Sequence, residues 1–188
     1  MSVAVVLSRP RGRSFVSWGI RKFTSSDVSH ASIHFMSHGG VLGRGQWVFE
    51  SGGHGLVLVP KAKWDKSNDT RYRFTLKGDY TEIGYTALKS SMLELGTEYD
   101  FAGVGRFALY VILKKISPCL ADRMVRSTPD QLFCSELVLR VLHLMGSMAS
   151  EGFEYVMDLI PDATSPEDLK ALRKCYAWEV EYANPGSV

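Results

Sequence analysis

The sequence predicts an α+β domain in which an antiparallel sheet is laid down first and helices follow. Three observations carry this. Short β-branched or alternating segments, divided by Gly-rich or Asn/Asp-rich turns, run from Val3 to Leu76. Helical spacing takes over from Tyr80, and an alternating segment, Tyr176 to Tyr182, closes the chain as a last strand. Strands grouped ahead of helices exclude a repeated βαβ unit. At 188 residues the chain fits one domain, 1–188, large enough to bury a core without metals or disulfides.

Val3 to Leu7 is a Val-rich run that suits a buried strand, broken at Pro10 to Arg13. Ser14 to Phe23 follows as a short helix, with Val16, Ile20 and Phe23 at helical spacing. Four strands come next: His30 to Met36, Gln46 to Glu50, Gly55 to Val59 and Thr70 to Leu76. Gly39-Gly40 and Gly52-Gly53 mark turns between them. Tyr80 to Leu95 reads as a helix ending at Gly96, and Phe101 to Ile116 as another, loosened by its glycines. A loop with Pro118 and Pro129 separates that segment from the clearest helix, Leu132 to Met145. There Cys134, Leu137, Val138, Val141, Leu142 and Met145 share one face, and Gly146 is the expected stop. Ser165-Pro166-Glu167-Asp168 has the form of a helix start.

Hydrophobic residues at 45% and charged residues at 22% are ordinary for a soluble globular chain. A net charge of +2 is too small to argue for a nucleic-acid partner, and none is expected. Arg9, Arg11, Arg13, Arg21 and Lys22 form a local basic cluster. It reads first as solvated surface, with an anionic or membrane-surface partner as the alternative; nothing else in the sequence supports membrane contact. Phe101 to Ile116 is too short and too charged for a membrane span. Cys119, Cys134 and Cys175 are widely spaced with no CxxC, and no secretory signal opens the chain, so a reducing cytoplasmic setting is expected.

Two segments carry the candidate chemistry. Cys134 falls near the start of the clearest helix, where a helix N-terminus and a nearby imidazolium both favour a reactive thiolate. Thr128 with Gln131 has capping-box spacing just ahead of it. The competing reading is a buried core cysteine. On the first histidine strand, alternation puts His30, Ser32 and His34 on one face and Ala31, Ile33 and Phe35 on the other. The apolar side suits the core, and the polar row faces a cleft or solvent. Glu50 shares a face with Gln46 and Val48, and on a neighbouring strand it reaches the His30 ring as an orienting carboxylate. The alternative is a strand-end carboxylate in solvent. A metal site is disfavoured, because His30 and His34 lie about 13 Å apart along a strand. No HExxH, phosphate-binding loop or GxSxG is present, so no metal and no cofactor are expected.

Four motifs occur in order: Ser29-His30-Ala31-Ser32-Ile33, Val48-Phe49-Glu50-Ser51, Tyr99-Asp100-Phe101-Ala102-Gly103 and Phe133-Cys134-Ser135-Glu136-Leu137-Val138. The chain resembles the circularly permuted papain-like amidases of the NlpC superfamily over roughly residues 1 to 170. That is the branch of the bacterial YiiX and YaeF proteins, with lecithin retinol acyltransferase as a relative. In the permuted branch the histidine strand precedes the cysteine helix, as here. Thr164 to Leu169 matches a late family element, whereas the Gly-Asp pair that opens the first strand of many members is replaced by Met1-Ser2-Val3.

The resemblance implies a small papain-like fold with a cysteine helix packed on an antiparallel sheet. It implies Cys134 as nucleophile, His30 as base and then acid, and Glu50 as the residue orienting His30. The Cys134 N–H would be an oxyanion donor and Tyr99 a flanking hydroxyl. The activity implied is a thiol amidase or peptidase-like hydrolase working through an acyl-enzyme on a small amide, peptide or lipid-amide substrate. The alternatives are transfer of the same acyl group to a lipid or amine acceptor, and a non-catalytic ligand-binding module on the same fold.

Overall fold

The computed structural model describes residues 2–99, 131–132, 134–149, 151–159 and 164–182, with the backbone alone at 98–99, 131–132 and 182. The expected helix over 101–116, Cys119, the Thr128 cap and the Tyr99 side chain lie outside the described residues. Among those described, the domain is α+β. A six-stranded sheet has the order β4-β3-β2-β1-β5-β8, and every neighbouring pair is antiparallel. Its strands are β1 (Val3–Pro10), β2 (His30–His38), β3 (Arg44–Gly52), β4 (Gly55–Pro60), β5 (Asn68–Leu76) and β8 (Trp178–Tyr182). A short parallel pair, β6 (Glu98–Tyr99) and β7 (Gln131–Leu132), forms a second sheet beside β4.

Central β1 is apolar throughout its first five residues because both of its faces are covered. On one face Val3, Val5 and Leu7 join Ile33, Phe49 and Phe74. These pack against α3 (Thr81–Ser91) and α4 (Cys134–Met148), the latter through Leu137, Val138, Val141, Leu142 and Met145. This is the helical face that the spacing of the cysteine helix predicts, and α4 lies on β2 and β3.

On the opposite face Val6 and Val48 meet Trp64, which stands on a helix that the sequence reading missed, α2 (Lys61–Ser67). The polar row of β2 is therefore not turned to solvent. Ser32 and His34 are buried, and the His34 ring stands nearly perpendicular to Trp64 with centroids 4.6 Å apart.

Smaller differences have local causes. The helix expected over Tyr80 to Leu95 is α3 flanked by 3₁₀ turns at Gly78–Tyr80 and Met92–Glu94. The last strand begins at Trp178 rather than Tyr176. Residues after Ser165 form a 3₁₀ helix, Asp168–Lys174, whose start is closed reciprocally. Ser165 N donates to Asp168 Oδ2 at 2.8 Å, and Asp168 N donates to Ser165 Oγ at 3.3 Å.

Gly146 does not end α4. The helix runs on to Met148, and the missing side chain makes room for Phe153 and for Met157 of α5 (Glu154–Met157). Close helix approach, rather than turn chemistry, accounts for this glycine.

Candidate active site

The site forms where strands and helices begin. His30 is the first residue of β2, and Cys134 is the first residue of α4. The His30 ring interacts with the neighbouring Cys134 thiol, and its Nε2 is hydrogen-bonded to Glu50 Oε2 at 2.7 Å. With Nε2 committed to the carboxylate, Nδ1 is the ring atom left for the thiol. Cys134 is almost fully buried, whereas His30 and Glu50 side chains keep 17% and 16% of their exposure, so the trio sits just below the surface.

The sequence reading missed a fourth participant. Trp64 Nε1 donates to the same Glu50 Oε2 at 2.7 Å. One carboxylate oxygen thus accepts from both an imidazole and an indole, which fixes its direction. A buried indole needs a partner for its N–H, and this was the available signal. It could not be used without knowing that residues 61–67 fold back over the sheet.

Electrostatics follow from this geometry. Burial alone would push the His30 ring down. The hydrogen bonds to Cys134 and Glu50, with their charges, outweigh it and raise the ring to about 10. For Glu50, burial pushes up, but the His30 bond and charge and the Trp64 N–H hold the carboxyl below its usual range. His34, four residues along the same strand, behaves oppositely. Burial and the positive charges of Arg73, Lys61 and His30 push it down to about 3. Its Nε2 faces Ser32 Oγ at 3.2 Å, and it stays neutral. Two histidines on one strand therefore have opposite protonation across the neutral range.

The supports of the site come from distant sequence. Ser135 Oγ, in the first turn of α4, donates to Thr164 O at 2.6 Å. Glu136 pairs with Arg140 at 2.7 Å. Ahead of β2, Ser26 Oγ donates to Glu167 Oε2 at 2.5 Å, and Lys170 Nζ reaches Asp27 Oδ1 at 2.8 Å and Glu167 Oε2 at 2.7 Å. The segment 164–170 thereby holds both the approach to His30 and the start of the cysteine helix. Backbone pairing of Tyr99 with Leu132 brings the β6 strand within two residues of Cys134.

Cys175 offers a contrast. It is buried, its thiol donates to the Ala171 carbonyl at 4.0 Å, and burial pushes the thiol up to about 11. Among the described residues, no three His, Cys, Asp or Glu side chains converge as a metal site. Neither a protein-family model nor a curated protein matches the chain.

Proposed function

We propose that the protein is a cysteine hydrolase that cleaves an amide bond through an acyl-enzyme, with Cys134 as nucleophile, His30 as base and acid, and Glu50 as the positioning carboxylate. The observation that carries this reading is the His30 ring held between the Cys134 sulfur and Glu50 Oε2. A ring that keeps its proton well above neutrality beside a thiol is the proton-holding half of a thiolate–imidazolium pair.

In the proposed reaction the sulfur attacks the substrate carbonyl carbon, and the oxygen becomes an oxyanion. As first residue of α4, Cys134 has a backbone N–H with no partner inside the helix, which is suited to donate to that oxygen. Collapse breaks the C–N bond. The His30 proton goes to the leaving nitrogen, and a thioester remains on Cys134. Neutral His30 then takes a proton from water, hydroxide adds to the thioester, and the acid departs as thiolate and imidazolium are restored. Glu50 carries no proton in this cycle; it fixes the ring and stabilises its charged form, and Trp64 fixes Glu50.

The permuted papain-like arrangement belongs to this reading and rests on the order of the motifs. A reducing compartment suits a chain in which Cys134 and Cys175 are both free thiols. No described helix is long and apolar enough to cross a membrane.

The test is labelling at neutral pH with an acyl-type thiol probe, followed by peptide mass mapping. Selective capture at Cys134 over Cys119 and Cys175, lost with His30→Ala, is expected. Equal labelling of all three thiols would return Cys134 to the role of a core cysteine and favour a binding module.

A further inference from the structure

The first helix, α1 (Phe15–Thr24), is folded inside out. Its one buried residue is a serine, Ser17, whose Oγ lies 2.6 Å from Ser29 Oγ. Its large apolar side chains face outward: Phe15 is 94% exposed, Trp18 59%, Val16 46% and Phe23 36%. An ordinary surface helix does the reverse, covering the core with its apolar stripe. Nor is α1 frayed. Ser14 caps it by accepting from Ser17 N at 3.2 Å, and Ser25 closes it in the left-handed conformation at φ 53°.

Cations surround this apolar face. An open pocket of about 850 Å³ between the end of β1 and α1 is lined by Arg9, Arg11, Arg13 and Arg21 with Phe15 and Trp18. Asp69 also lines it, but its carboxylate is already shared by Arg9 and Arg71, each at 3.1 Å. Among the described residues, the Arg11 and Arg21 side chains are bonded only to backbone carbonyls, of Asn68 and Ser17. Among the described residues Arg13 and Lys22 have no carboxylate partner.

We infer that α1 and this arginine pocket form a docking surface for an anionic lipid bilayer. Aromatic side chains beside long cationic ones match the interface between headgroups and acyl chains. There a ring enters the apolar boundary while guanidinium and ammonium groups meet phosphate. A helix lying in the interface needs no membrane-spanning length. Charge decides against a second copy of the chain as occupant, because a two-fold contact would set these cations against themselves. The inference stands independently of any role for Cys134, although the Ser17–Ser29 contact seats α1 one residue from His30.

The experiment is co-sedimentation of the full chain with vesicles of phosphatidylcholine, alone or with phosphatidylglycerol, in parallel with circular dichroism. Binding is expected only with the anionic lipid and should weaken as salt is added. Phe15→Ser with Trp18→Ser should lower partition at least about tenfold, since each ring loses an apolar burial. Arg11→Gln with Arg13→Gln should lower it about fivefold per arginine. The second pair provides an independent reading if the first misfolds. Absence of binding to anionic vesicles overturns the inference, as does binding that neither pair of substitutions changes. It is also overturned by a dimer in sedimentation velocity that Phe15→Ser dissociates, which assigns the face to a second copy, or by competition from free inorganic phosphate that abolishes binding.

Discussion

Replacing Glu50 with Gln keeps the side chain's shape and removes its charge. Glu50 Oε2 accepts from His30 Nε2 and Trp64 Nε1, both at 2.7 Å, so the perturbation falls on two bonds of known geometry. Contact between unit charges at about 4 Å is worth about 4 kcal/mol at an effective dielectric of 20. That is a ceiling, because both side chains keep about a sixth of their exposure and water screens them. A hydrogen bond to a charged group contributes about 1.5–3 kcal/mol, and 1.36 kcal/mol moves a titration midpoint by one pH unit. The His30 midpoint should therefore fall from about 10 by about one to two pH units, with the Cys134 contact retaining the rest. The assay is the histidine ring Cε1–H resonance followed against pH, paired with the rate of Cys134 alkylation. Alkylation near neutrality should slow in Glu50→Gln. A His30 midpoint unchanged by the substitution would refute the account of Glu50 as the group holding the ring's proton.

Other consequences are open to the same methods. Trp64→Phe keeps the ring packing but removes one donor from Glu50, so the carboxyl should rise and the acid limb of the alkylation profile should move to higher pH. Cys134→Ser should abolish covalent capture by an acyl probe while shifting the melting midpoint by no more than a few degrees, read by thermal denaturation. Stability should fall on both sides of neutrality. His34, depressed to about 3, contributes stability that is present above about 6.5 and lost as pH falls; His30, raised to about 10, contributes stability present below about 6.5 and lost as pH rises. Melting curves across pH check this, and His34→Met should flatten the acid side alone. Lys170→Met removes the ammonium shared by Asp27 and Glu167 and should cost about 1–2 kcal/mol in chemical denaturation, less in high salt.

Periodicity made much of this molecule legible in its sequence. Alternation in β2 separates Ala31, Ile33 and Phe35 from His30, Ser32 and His34, and all three apolar members are buried. The stripe of α4 is read the same way, because a helix facing a sheet repeats every three to four residues. The Glu50 contact with His30 also follows from strand parity once β2 and β3 are neighbours. What escaped was tertiary. A seven-residue helix such as α2 has too few turns to show a period, so the cover over Ser32 and His34 was invisible, and with it the Trp64 bond. Gly146 was read by its local habit as a helix stop, while its use depends on Met157 and Phe153 from the next element. In α1 the spacing of Val16, Ile20 and Phe23 gave a helix correctly, but periodicity states only that a face exists and not whether it turns inward.

The outer position of β8 bears on how the sheet is assembled. Tyr72 pairs with Tyr182 and Leu76 with Trp178, so β5 waits for a partner from much later in the chain. Contacts of such long sequence separation close slowly. Until they form, β5 is an unprotected edge, open to pairing with another chain. Arg71 and Arg73 lie on that strand, and charges on a strand edge discourage strand addition by other molecules. In the finished sheet Arg71 is paired with Asp69 of β5 itself and Arg73 with Glu181 of β8, so the Arg73 charge that discourages strand addition is neutralised only once β8 lies beside β5.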